Sequence, residues 1–235
     1  MQNPVIKITE DGSHTLYVNS IDESYHSTHG SIQESQHIFI QHGFSECKKE
    51  TIQVLEIGFG TGLNAFLTAL TLLPEGEYNV KKINYTAIEL FPVPVLLALK
   101  LNYPELYGNR SREVFEKIHR ASWNEKIQIT QHFSLTKIQT DFTAIDFMQI
   151  NGGIRFDVIY FDAFSPEKQP EMWSADMFRK LYHCAEDNAV LTTYCAKGAV
   201  RRAMLAAGFT VERLPGPPGK REILRAKKNG MTVYR

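Results

Sequence analysis

Apolar runs of strand length alternate with amphipathic stretches of helix length from about residue 51 to residue 227, and the glycine-rich loop in VLEIGFGTGLNAF, residues 54–66, joins the first pair. This alternation constrains the chain more than any other feature. Strands separated by helices are laid down parallel and need cover on both faces. TIQVLEI leads to GLNAFLTALTLL, INYTAIEL to VPVLLALKL, and FDVIYFDAF to a helix around SADMFRKLYHCA. KIQITQHF and LTKIQTD lead to a short helical stretch near TAIDFMQI, and AVLTTYCA leads to KGAVRRAMLAAG. FTVERL and REILRAK close the chain with only the rigid turn PGPPGK between them, so they predict an antiparallel hairpin at one edge. The expected fold class is α/β: a Rossmann-like, mostly parallel seven-stranded sheet with a terminal antiparallel hairpin.

Two segments stand outside the alternation. VIKIT and HTLYVNS flank EDGS and predict a hairpin with a DG turn. SIQESQHIFIQHG follows, with Ser31 and Glu34 at capping-box spacing and Gly43 as its stop. We expect residues 1–43 to be a hairpin and helix appended to a core domain of residues 44–235. NYPELYGNRSREVFEKIHRASW, about 102–123, predicts a helical insertion before the third strand, where insertions commonly shape substrate pockets.

Composition excludes several classes. Of 235 residues, 43% are hydrophobic and 22% charged, which suits a globular core. The longest apolar stretch, NAFLTALTLL, ends at Pro74 and is too short to span a bilayer, and the N-terminus lacks the basic start and apolar centre of a signal peptide. A cytoplasmic, non-membrane protein is expected. Cys47, Cys184 and Cys195 lie far apart and the eight histidines are scattered, so no metal site is expected. Net charge is zero, yet from Lys197 to Arg235 ten Lys and Arg face two acids. That bias predicts either a basic face or a solvated helix and strand surface.

The glycine loop narrows its ligand by elimination. A triphosphate-binding loop ends in Gly-Lys-Ser/Thr, whereas here Gly62 is followed by Leu63 and Asn64. The dinucleotide spacing G-x-G-x-x-G is also off, because Leu63 stands where the third glycine would fall; that reading is weakened but stays open. Glu56, just before the loop, would repel a pyrophosphate, whereas a sulfonium ligand brings a cationic amino-acid end and no phosphate. E-x-G-x-G-x-G therefore favours S-adenosylmethionine, its methionine end passing over Gly58, Gly60 and Gly62. Glu89 ends the second strand where it can accept both ribose hydroxyls, and Asp141 ends the third, beside the adenine. With the closing hairpin, these acids point to a class I S-adenosylmethionine methyltransferase sheet rather than a plain dinucleotide fold.

The fourth strand runs into FDAFSPEKQPEMW, residues 161–173. Asp162 stands at the same edge, with Phe164 and Pro166 as an apolar wall and Trp173 as a second. A carboxylate in partly dry surroundings attracts a cation or accepts a proton, which suits an amine nucleophile. The alternative is structural: Asp162 caps the next helix and Trp173 is core.

FDAFSPEKQPEMW closely resembles the signature of the tRNA 5-methylaminomethyl-2-thiouridine methyltransferase family, the methyl-transferring half of the bifunctional MnmC enzyme. GSIQESQHIFI, EIGFGTGLN and TTYCAKGAVRRAMLAAGFTVERLPGPPGKREIL resemble its other segments, so the likeness covers nearly the whole chain. Ala163 and Ser165 stand where some relatives have Gly and Ala. The resemblance implies methylation, from S-adenosylmethionine, of the aminomethyl nitrogen on carbon 5 of the tRNA wobble uridine. By it Glu56, Gly58, Phe59, Gly60, Gly62, Asn64, Glu89, Asp141 and Phe142 fall on the cofactor side, and Asp162 where methyl and amine meet. Phe164, Pro166, Lys168 and Trp173 fall on the acceptor side. Arg201, Arg202, Lys220, Arg221, Arg225, Lys227 and Lys228 are expected to meet phosphates of the tRNA anticodon stem-loop. No second glycine fingerprint for the flavin-dependent oxidase half is present, so the aminomethyl group is expected preformed. Methylation of a small-molecule amine, or a catalytically silent nucleotide-binding protein, are the alternatives.

Overall fold

A computed structural model describes residues 4–72, 82–147, 149–150 and 152–230. Strands β1 (Val5–Ile8), β2 (His14–Val18) and β3 (Glu23–Ser24) form a small antiparallel sheet, followed by α1 (Ser31–Ser35), which continues as a π-helix over Gln36–Gln41. The core runs β4 (Thr51–Ile57), α2 (Leu63–Leu70), β5 (Lys82–Glu89), α3 (Val95–Ala98), α4 (Asn109–Arg120), β6 (Lys126–Thr130), β7 (Phe133–Gln139) and β8 (Phe156–Phe161). It ends with α5 (Ala175–Cys184), β9 (Ala185–Thr193), α6 (Gly198–Ala206), β10 (Thr210–Pro215) and β11 (Glu222–Lys227). The expected helix after the glycine loop reaches Leu70; its last residue, Leu73, and Pro74 lie outside the described residues, as does Met148 of TAIDFMQI.

The main sheet has the order β10-β11-β9-β8-β4-β5-β7-β6. β9, β8, β4, β5 and β7 are parallel; β11 runs antiparallel to β9, β10 antiparallel to β11, and β6 antiparallel to β7. The sheet has one edge strand more than the seven expected, because KIQIT doubles back on FSLTKIQ. β8 is buried at every position and β4 at five of seven, as central strands covered on both faces must be. Alternate residues feed two cores. Val54 and Tyr160 join Phe66, Phe115 and the N-terminal Leu16 and Phe39 on one face, while Leu55 and Ile159 join Phe178, Leu181 and Met204 on the other.

Three expectations are corrected here. Ser31 and Glu34 do not form a capping box: Gly30 is the N-cap and provides no side chain. The first-turn N–H groups are met from the β1–β2 turn instead, Ser31 N donating to Ser13 Oγ (3.1 Å) and Gln33 N to Asp11 Oδ2 (3.0 Å). The insertion is helical, but none of its described residues lines the cavity at the carboxyl ends of the strands; Leu106 and Tyr107 line a second cavity with Asp11, Ile32 and Pro217, and α4 packs under the glycine loop, with His119 where a Cβ on Gly62 would fall. The basic tail is largely consumed within the fold. Arg225 pairs with Glu46 and Glu212, Lys227 with Glu46, and Lys228 donates to the carbonyls of Tyr182 and Ala185.

Candidate active site

Chain order reverses beside β4: β5 lies on one side and β8 on the other. A crevice at the carboxyl ends of the strands is the usual ligand site in such sheets, and a cavity of about 310 Å³ lies there. The glycine loop shapes one side with backbone alone. Gly58, Gly60 and Gly62 all have positive φ (90°, 48° and 70°), open to glycine at little cost. A Cβ on Gly58 would stand 2.4 Å from the Asp162 carbonyl, so the two loops touch through backbone. Phe59 is 4% exposed and packs edge-on against His119 and Trp123.

Glu89 braces the loop from β5, accepting from Gly60 N (3.0 Å) and Phe91 N (2.9 Å). Asp141 caps the turn at Phe142–Ala144 by accepting from Thr143 N (2.7 Å), and the Thr143 side chain and backbone donors hold its carboxyl below the usual range. Phe142 adds an apolar wall. Glu56 is placed differently from its neighbours: it is 0% exposed, lies under the floor and not on it, and neither oxygen has a partner in hydrogen-bond geometry. Tyr85 and Asn64 stand beside it, and burial followed by the charge of Asp162 pushes it well above the carboxylate range. Burial thus favours the neutral form of Glu56, and the acids that line the cavity above it face any phosphate directly.

Asp162 follows β8, its N–H donating to Ile57 O (2.9 Å). Asn64 Nδ2 donates to Oδ2 (2.8 Å), which leaves Oδ1 for a ligand. Burial, then the charge of Glu34, raises its pKa to about 7, against the hydrogen bond from Asn64 and the Lys220 charge. The loop beyond is held by side chains. Trp173 Nε1 donates to Phe164 O (2.9 Å), Phe164 N to Gln169 Oε1 (3.2 Å), and Tyr194 Oη to Ala163 O (3.0 Å). Trp173, 6% exposed, is a post behind the wall, whereas Phe164 is on the wall itself. Pro166 and the exposed Lys168 lie off the cavity. Arg201, Arg202 and Arg221 lie off it too, while Lys220 is inside.

Several residues here carried no signal in the sequence. Tyr25, just after β3, covers Gly60 and packs edge-on to Phe164 with centroids 5.0 Å apart. Glu23 latches the acceptor loop, taking Ser165 N and Oγ, both at 3.1 Å. His26 Nε2 lies 2.6 Å from Thr61 Oγ1, and burial lowers its pKa to about 4, so it adds no charge. Glu23, Glu34, Glu89, Asp141, Asp162 and Glu171 thus face a cavity in which Lys220 is the sole Lys or Arg among the described residues. Such a cavity attracts cations. No described group of three His, Cys, Asp or Glu is arranged to hold a metal ion, and no described helix is long and apolar enough to cross a membrane.

A doubly wound sheet with an antiparallel closing hairpin, a glycine cradle and an acid-lined crevice defines a methyltransferase-type α/β protein. The family described as S-adenosyl-L-methionine-dependent methyltransferase matches residues 109–229, just over half the chain, and this protein belongs to it. Among curated relatives, the "tRNA 5-methylaminomethyl-2-thiouridine biosynthesis bifunctional protein MnmC" of Azoarcus sp. (strain BH72) is 30% identical over 235 residues, covering 96% of this chain and 35% of that protein. The protein of the same description from Marinomonas sp. (strain MWYL1) is 26% identical, covering 99% and 35%. The chain thus spans about a third of the length of these relatives. In fold it is similar to MNMC2 from Aquifex aeolicus (TM-score 0.76, 24% identity, 98% of this chain and 72% of that one). It is also similar to spermidine synthase from Thermotoga maritima (TM-score 0.57, 11% identity, 97% and 71%).

S-adenosylmethionine is the cofactor of this family, and the residues fit it. Glycines 58–62 leave a side-chain-free bed, Glu89 and Asp141 provide acceptors at two neighbouring strand ends, and the acid lining suits a ligand with two cationic centres.

Proposed function

We propose that this chain methylates the aminomethyl nitrogen on carbon 5 of the wobble uridine in tRNA. The observation that carries the reading is Asp162: a carboxyl poised near pH 7 in an acid-lined cavity, beside the cofactor loop, in a chain whose curated relatives are named for 5-methylaminomethyl-2-thiouridine biosynthesis.

When bound, S-adenosylmethionine supplies an electrophilic methyl group on a sulfonium. The protein's part is to present a neutral amine to it. Asn64 fixes the Asp162 carboxylate through Oδ2, and Oδ1 takes an amine N–H. As the nitrogen lone pair enters the new bond to carbon, the nitrogen's surplus proton passes to Oδ1 and then to solvent. Phe164, Tyr25 and Leu63 keep that end of the cavity apolar, so the amine is not hydrated away from its partner. Alignment of nitrogen and methyl supplies much of the rate.

The acid lining also suits a free polyamine, which makes small-molecule methylation the second reading. Incubation with labelled S-adenosylmethionine, hypomodified bulk tRNA and a polyamine, followed by identification of the labelled product, separates the two. Label in 5-methylaminomethyl-modified uridine is the expected result. Label in the polyamine alone would replace it with the second reading.

A further inference from the structure

Charge bias alone groups Lys220 with the phosphate-facing cations of the tail. The structure turns it inward. Its side chain lines the same cavity as Asp162, with Nζ 3.2 Å from Glu34 Oε2 and 4.9 Å from the centroid of the Tyr194 ring. Both neighbours are themselves fixed: Glu34 Oε1 accepts from Ser27 N (3.1 Å), and Tyr194 Oη donates to the Ala163 carbonyl next to Asp162. The turn that carries Lys220 is anchored as well, since Gly219 (φ 83°) packs so closely on His29 that a Cβ there would lie 2.1 Å from the ring. Lys220 is thus a held cation in a cavity otherwise lined by acids.

An acceptor amine that arrives as its ammonium gains nothing from such a group, because one ammonium repels another. An acceptor with an electronegative atom beside its amine uses both: the acids take the amine and the lysine takes that atom. The contact to Glu34 is an ion pair outside hydrogen-bond geometry, so it takes none of the three N–H donors on Nζ. A uracil ring carries a carbonyl at carbon 4, adjacent to the substituent on carbon 5. Cytosine has an amino group there, which offers the lysine only a donor.

We propose that Lys220 is the specificity-determining residue of the acceptor subsite, donating a hydrogen bond to the ring carbonyl beside the aminomethyl group, with Glu34 as the positioning residue that holds it there. This rests on the wobble-uridine reading and deepens it.

The test compares kcat/KM for two RNA stem-loops of one sequence, carrying 5-aminomethyluridine or 5-aminomethylcytidine at the wobble position. The full chain is assayed with its Lys220→Met, Lys220→Glu and Glu34→Gln variants. Wild type is expected to prefer the uridine by about a hundredfold or more, as sites built around a hydrogen bond do. Lys220→Met brings the ratio within about tenfold of unity, since an apolar pocket discriminates weakly. Lys220→Glu shifts it toward the cytidine, and Glu34→Gln erodes it. The ratio is taken within each variant, so loss of folded protein cancels. Equal use of both RNAs by wild type, or a uridine preference unchanged in Lys220→Met and Glu34→Gln, overturns the assignment while leaving tRNA methylation standing. A wild-type enzyme that methylates a polyamine and neither RNA removes the reading beneath it.

Discussion

The glycine loop at residues 58–62 and the acceptor loop at residues 162–173 meet at one edge of the sheet, but they are built by opposite means. The first is backbone: three positive-φ glycines, with its N–H groups taken by the Ile88 carbonyl and the Glu89 carboxylate. The second is held by side chains, from Trp173 and Gln169 within it to Tyr194 and Glu23 far along the chain. A loop of backbone makes a general bed for a ligand common to many enzymes. A loop held by side chains is tied to the rest of its own protein.

The widest separation of the two loops comes from Asp162→Asn. It keeps the shape of the side chain and removes the proton acceptor, so kcat falls by about 10²–10⁴-fold, while the cofactor dissociation constant, read by calorimetry, changes little. Gly58→Ala breaks the comparison from the other side. The new methyl group meets the Asp162 carbonyl at a strained φ, which costs about 1–3 kcal/mol; cofactor binding weakens by tenfold or more, and denaturant midpoints report the reduced stability. Glu23→Gln is milder. It loosens only the latch on Ser165, so KM for the acceptor RNA rises several-fold with cofactor affinity unchanged. Smallest is Arg201→Glu with Arg202→Glu on α6, outside both loops. RNA binding weakens, and the slope of log K against log salt falls by about 1 for each phosphate that the protein no longer meets; identical binding at every salt would place the RNA elsewhere.

Legibility in the sequence followed the same division. The alternation of strands and helices, the closing hairpin and the glycine loop depend on local pattern, and VLEIGFGTGLNAF and FDAFSPEKQPEMW could each be read where they stand. What escaped depends on pairings between residues distant in the chain. Glu34 had the spacing of a cap, yet its carboxylate faces Lys220, far along the chain. The tail looked like a basic face because Glu46, which takes both Arg225 and Lys227, lies far from them in sequence. Glu56 reads as a charge beside the ligand because strand periodicity does not reveal that its side chain is fully buried below the cavity. Tyr25 and Glu23 belong to an N-terminal segment expected to be an appendage, and they cover the site.

The central claim, that the Asp162 carboxylate takes the proton of the acceptor amine, is tested most directly by the pH profile of kcat/KM, which reports the free enzyme. Burial places the Asp162 pKa at about 7, so the carboxyl is protonated and idle below that pH and becomes able to accept a proton above it. The account predicts a rise through an inflection near pH 7 in wild type, and in Asp162→Asn a low rate without that inflection, varying only as the amine itself titrates. The same inflection in both proteins, or full wild-type activity at pH 5, would contradict it.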